Sequence, residues 1–102
     1  MGEEKVTTIA GKTMIKATFY GPSSYTTGGV YQRIAKLKDV DVALGISMSG
    51  GYVPQIVPDA YTGNALKYKV FYASGASGKP LVEVKSGTAL TGQTVETTVI
   101  GD

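Results

Sequence analysis

A two-residue alternation between positions 39 and 49 is the feature that most limits how this chain can fold. The apolar side chains of the segment, which alternate with small or polar residues, are Val40, Val42, Leu44, Ile46 and Met48. Successive side chains of a β-strand point to opposite faces, so this period predicts a strand with one buried face. Gly50 and Gly51 follow directly and predict a turn.

Other segments show strand patterns between turns rich in glycine and serine. The predicted strands run over residues 13–20, 52–57, 66–72 and 93–100, with a short extended piece at 81–85 and a loop at 74–80. Pro54 cannot donate a ladder hydrogen bond, which places its strand at a sheet edge or at a bulge. Helix is indicated only for residues 30–38, where Ile34 and Leu37 are three positions apart.

These strands recur about every ten residues, which is typical of sandwiches and barrels. We therefore expect one all-β domain over residues 1–102, folded as a compact β-sandwich of jelly-roll type, with a small β-barrel as the alternative. The charge-rich residues 1–5 are expected to form a flexible N-terminal arm.

The composition argues against several classes of function. The chain has no cysteine and no histidine, so it lacks the usual bases of nucleophilic catalysis and the preferred ligands of zinc. We expect no enzyme activity, no metal and no cofactor. The formal net charge of +2 is small for 102 residues, which predicts neither nucleic acid nor membrane as a partner. The first residues lack an apolar stretch, which predicts synthesis in the cytoplasm without a secretory signal.

Tyrosine is the most frequent aromatic residue of this chain, which has seven tyrosines, two phenylalanines and no tryptophan. Tyrosine suits interfaces because it buries a ring and keeps a polar hydroxyl, although ordinary strand preference also explains the count. Tyr68 and Tyr72 share a face with Val70 and are expected in or near the core. The tyrosines in or beside loops, with polar neighbours, form the predicted partner-binding set: Tyr25, Thr26, Thr27, Tyr31, Arg33 and Tyr61.

The order of several short segments resembles small structural proteins of tailed bacteriophages and related proviruses. The resemblance covers most of residues 13–101, and Thr26 occupies the position where proline is usual in that family. The segments that carry it are Ala17-Thr18-Phe19-Tyr20, Ser24-Tyr25-Thr26-Thr27-Gly28-Gly29, Ser49-Gly50-Gly51-Tyr52-Val53, Leu66-Lys67-Tyr68-Lys69-Val70-Phe71, Ala76-Ser77-Gly78-Lys79-Pro80-Leu81-Val82-Glu83-Val84 and Leu90-Thr91-Gly92-Gln93-Thr94-Val95.

The resemblance implies a virion structural protein of the capsid decoration type, without catalytic residues. Such a protein binds the major capsid protein on the assembled head shell, stabilises the shell and often forms a trimer there. The alternative is a carbohydrate- or receptor-binding module of a phage tail or fibre. That alternative predicts tyrosines clustered in one exposed groove, whereas decoration predicts tyrosines spread through subunit contacts.

Overall fold

Two antiparallel sheets make up the fold. The computed structural model of the chain describes residues 2–57, 61–73 and 81–102, so the predicted loop at 74–80 lies outside the described residues. The strands are β1 (Gly2–Ile9), β2 (Lys12–Tyr20), β3 (Val30–Arg33), β4 (Val40–Met48), β5 (Tyr52–Ile56), β6 (Ala65–Tyr72), β7 (Val82–Glu83) and β8 (Thr94–Gly101). Sheet A has the order β1-β2-β8-β4. Sheet B has the order β3-β6-β5, and β7 also pairs with β6.

The core lies between the two sheets and is built from alternate residues of three central strands. β2 contributes Ile15 and Ala17, β8 contributes Val95 and Val99, and β6 contributes the buried Leu66, Tyr68 and Val70. The period-two pattern predicted this division correctly for β2 and β6, whereas β8 was predicted as a strand from its threonine and valine content. The prediction of an all-β fold with two packed antiparallel sheets is confirmed. Of the two positions predicted for the strand that contains Pro54, a sheet edge or a bulge, the structure shows the edge, because β5 ends sheet B.

Strand β4 departs from its predicted pattern. Its pairing with β8 shifts register between Val40 and Val42 and again between Ala43 and Gly45. A bulge inserts an extra residue and changes which side chain faces the core. Val42 and Leu44, predicted to be buried, are therefore 40% and 56% exposed. The expectation of one continuous buried face on this strand is wrong.

The predicted helix at residues 30–38 is also wrong. Val30–Arg33 form β3 and pair with residues 65–68 of β6, and the part of the chain that the structure describes contains no helix. Ile34 and Leu37 are both buried, and the Leu37 N–H donates to the Ile34 carbonyl at 3.0 Å. Their three-residue spacing therefore reflects one turn between strands. None of the described residues belongs to a helix long and apolar enough to span a membrane.

Residues 2–5 form the first half of β1 rather than the expected flexible arm. They pair with residues 15–18 of β2. The Glu3 carboxylate accepts hydrogen bonds from the N–H groups of Ala35 (2.8 Å) and Lys36 (2.7 Å). This contact ties β1 to the turn that follows β3. Sequence patterns missed β1 because its residues alternate weakly and are mostly exposed.

Candidate partner-binding surface

Two residues of the predicted partner-binding set lie together on the outer surface of sheet B. Tyr31 pairs directly with Lys67, and Arg33 pairs with Ala65. The neighbours of Lys67 along β6, Leu66 and Tyr68, are buried, so Lys67 and Lys69 point away from the core. We call Tyr31, Arg33, Lys67 and Lys69 the basic face.

Tyr31 is the aromatic centre of the basic face. Its side chain is 56% exposed, and the Lys67 ammonium lies 5.4 Å from its ring centroid. A cation at this distance is attracted by the ring and holds it in place. Tyrosine and arginine are among the residues enriched at the few positions that dominate the binding energy of protein interfaces.

One acidic side chain, Glu83, lies beside the basic face and interacts with Lys69. Glu83 pairs with Phe71 of β6. Its carboxylate accepts hydrogen bonds at 2.7 Å from the Tyr25 hydroxyl and at 2.7 Å from the Gly28 N–H. These hydrogen bonds, with a smaller contribution from Lys69, lower the pKa of Glu83. Glu83 therefore stays ionised and offsets one of the three cations, and the surface keeps a net positive charge from Arg33, Lys67 and Lys69.

An apolar groove lies at the other end of the same surface. Val53 pairs with Phe71 across β5 and β6, and both point outward beside Leu81. The groove has a volume of about 360 Å³ and is also lined by Pro54 and Gln55. Val53 is 43% exposed. Apolar side chains next to tyrosine and arginine are typical of protein-binding surfaces.

Tyr25, in contrast, lies inside the molecule. Its side chain is 1% exposed, although the sequence predicted it as a surface contact. β3 and β7 pair with the same edge of β6 and leave Val70 between them, where the Val70 N–H donates to the Tyr25 hydroxyl at 3.0 Å. Tyr25 thus completes the hydrogen bonding of β6 where neither strand reaches it.

The Tyr25 hydroxyl connects Glu83 to the strand gap, the part of the β6 edge at Val70 that neither β3 nor β7 covers. It accepts from Val70 and donates to the Glu83 carboxylate. Burial, together with the hydrogen bond to Glu83, raises the pKa of Tyr25 to about 12. The hydroxyl therefore stays protonated at neutral pH and acts as a structural donor.

The pH dependence of stability tests this connection. Because the folded state lowers the pKa of Glu83, its contribution to stability is complete above its ordinary pKa and is lost as pH falls through the folded value. We expect the wild-type free energy of unfolding to decline in acid, and Glu83→Gln to remove part of that decline. Urea unfolding at a series of pH values measures both. Parallel pH profiles for the two proteins would contradict the assignment.

Thr26 and Thr27 are exposed and lie in a turn beside the basic face. The Thr27 N–H donates to the Ser86 hydroxyl oxygen at 2.9 Å, and the Ser86 hydroxyl donates to the Thr27 hydroxyl at 2.7 Å. The Gly29 N–H closes the turn on the Thr26 carbonyl at 3.0 Å. The loop is thus held by the segment after β7. A role of these threonines in partner binding stays a prediction.

Tyr61 is half-buried and lies apart from the basic face. It packs against the core, and its hydroxyl accepts a hydrogen bond from the Ala43 N–H at 3.2 Å. Ala43 belongs to the bulged edge strand β4, so Tyr61 supplies an acceptor where no strand follows. Like Tyr25, Tyr61 accepts a hydrogen bond from a backbone N–H of a strand. Its predicted contact with a partner stays a prediction.

The residues that sequence reasoning missed are the lysines of β6. Alternation along residues 66–72 already indicated that Lys67 and Lys69 oppose the buried face. Their meeting with Tyr31 depends on the pairing of β3 with β6, which no local pattern contained. Within residues 2–57, 61–73 and 81–102, no group of three or more acidic side chains is placed to hold a metal ion.

Comparison with protein-family models, with curated proteins and with solved structures finds no match to this chain.

Proposed function

We propose that this chain is a structural protein that decorates the head of a virus, docking on the assembled shell through the outer surface of sheet B. The observation that carries the proposal is the basic face: an exposed tyrosine, with the Lys67 ammonium over its ring, beside Arg33 and Lys69. The net positive charge of this surface favours a partner whose surface is acidic. The resemblance to phage structural proteins supports a shell protein as that partner.

The scaffold behind the basic face suits such a role. Tyr31 and Lys67 lie on paired strands whose other faces form the core. Side chains fixed on a sheet lose little conformational entropy on binding. A shell repeats its binding sites many times, so modest contacts at each site suffice to cover it.

The copy number of this chain in purified virus particles tests the proposal directly. Quantitative mass spectrometry would compare it with the major capsid protein of the same particles. A ratio near one copy per shell site supports decoration. A few copies per particle would move the chain to the tail or fibre, and its absence from particles would overturn the proposal.

Tyr31→Ala should weaken binding to purified shells. We expect about a tenfold or larger loss of affinity, since truncation of a central interface tyrosine commonly costs more than 1 kcal/mol. Tyr20→Ala is the matched control, because Tyr20 is 58% exposed but lies on β2 of the other sheet. Co-sedimentation of each variant with shells measures the affinity.

Added salt should weaken the wild-type interaction, since it screens the cations of the basic face. Equal loss of binding for the two tyrosine variants, or affinity that does not change with salt, would contradict docking through this surface.

One observation favours the carbohydrate- or receptor-binding alternative. Tyr52 and Tyr72 pair directly and line a groove of about 520 Å³ with Lys85 and Thr88. Paired tyrosines in a groove are able to stack against a sugar ring. The other tyrosines are buried, half-buried or on other surfaces, so the clustering that this alternative predicts involves two of the seven. Oligosaccharide-induced shifts of Tyr52 and Tyr72 resonances, with no binding to shells, would favour it.

A further inference from the structure

A row of apolar side chains crosses the outer surface of sheet A. Met14 of β2 pairs with Ile100 of β8, and Ile100 pairs with Val42 of β4. Directly paired residues point to the same face, and the neighbours of Met14 and Ile100 along their strands, Ile15 and Val99, are buried. The bulge of β4 adds the exposed Leu44 beside the row. We call Met14, Ile100, Val42 and Leu44 the apolar band.

Charged groups border the apolar band on both sides. On one side Lys12 lies 3.1 Å from Asp41 and 2.8 Å from Asp102, and on the other Lys16 lies 3.6 Å from Glu96. The hydrogen bonds to Asp102 and Asp41 raise the pKa of Lys12. An apolar centre with a polar rim is the anatomy of a protein interface.

The face is large enough for a dimer contact. Four strands of about eight residues cover roughly 27 by 19 Å, or about 500 Å² in projection. The flat projection is a lower bound on the area such a contact would bury, because side chains protrude from the sheet, and it is of the same order as the ~800 Å² that each partner of a standard interface buries.

The charges of the two sheets indicate different occupants. The basic face of sheet B would repel its own copy, because Arg33, Lys67 and Lys69 would meet their equivalents. On sheet A, Lys12 and Lys16 are already paired with acidic residues of the same chain. A partner for the apolar band therefore needs chiefly an apolar surface that matches it. A second copy offers that surface by symmetry.

We infer that two copies of this chain associate through the outer surfaces of their A sheets, with the apolar bands packed together across a two-fold axis. This inference stands independently of shell binding, since it uses the opposite surface of the sandwich. It differs from the trimer that the family resemblance implies, and the mass of the particle in solution distinguishes the two.

Sedimentation velocity over a concentration series tests the inference. We expect the wild type to shift from monomer to dimer as concentration rises, and Val42→Asp to weaken self-association about tenfold or more. Val53→Asp is the matched control: Val53 is 43% exposed against 40% for Val42, and lies on sheet B. Leu44→Asp provides a second test at a more exposed position if Val42→Asp lowers stability, which circular dichroism would reveal.

A dimer that both sheet A variants disrupt and the control leaves intact supports the inference. A wild type that stays monomeric, a trimer, or equal loss of association in Val42→Asp and Val53→Asp would overturn it. Salt separates this contact from shell docking. Added salt should leave the dimer intact, because its centre is apolar and the rim cations Lys12 and Lys16 are paired within each chain, whereas it should weaken binding through the basic face.

Discussion

Tyr25→Ala should destabilise the protein by about 3–5 kcal/mol, as large-to-small substitutions of buried aromatic residues do. The ring is 1% exposed and belongs to the core cluster. Its loss leaves a cavity, removes the acceptor of the Val70 N–H and frees the Glu83 carboxylate from its donor. Such a change approaches the whole stability of an ordinary small domain.

Tyr25→Phe separates the hydroxyl from the ring. It keeps the packing but leaves the Val70 N–H without its acceptor, which should cost about 1–3 kcal/mol. Urea unfolding followed by circular dichroism measures both variants. Tyr20→Ala, at an exposed position, should stay within about 0.5 kcal/mol of the wild type. A Tyr25→Phe variant as stable as the wild type would show that the strand gap does not depend on this hydroxyl.

Gly101→Ala should destabilise the protein by about 1–3 kcal/mol, the usual cost of forcing extra atoms into a packed site. Gly101 ends β8, is buried, and pairs with Thr13 of β2 and Val40 of β4. A Cβ at this position would meet the backbone carbonyl oxygen of Asp39. Backbone atoms held in a sheet cannot move aside as a flexible side chain can, so the end of β4 must separate from β8.

Gly45→Ala is the control for that substitution. Gly45 lies on β4, the edge strand that pairs with β8, and a Cβ there would meet no atom within 4 Å. We expect no loss of stability and a gain of up to about 1 kcal/mol, because alanine loses less backbone entropy than glycine on folding. Thermal or urea unfolding compares the two variants. Equal effects of Gly45→Ala and Gly101→Ala would contradict a steric cause.

Part of the basic face could be predicted from the sequence. Tyr31 and Arg33 were predicted as contact residues, and both are exposed on the surface that carries the basic face. Lys67 and Lys69 were placed opposite the buried residues of their strand by simple alternation. The assembly of all four on one surface required β3, which was predicted as helix, and its pairing with β6.

The sequence by itself determined the all-β class, the strands β2, β6 and β8, and the restriction of Pro54 to a sheet edge or a bulge. These properties depend on alternation and on proline chemistry, which are local. Tertiary structure decided the burial of Tyr25, the exposure of Val42 and Leu44, and the strand formed by residues 2–9. The first two depend on partners far along the chain: Val70 and Glu83 for Tyr25, and the bulged pairing with β8 for β4. The strand at residues 2–9 pairs with the neighbouring β2 and is tied by Glu3 to the turn after β3. A local pattern specifies which side chains of a strand share a face. Only the pairing with other strands specifies what covers that face, and where a register shift turns side chains from the core to the solvent.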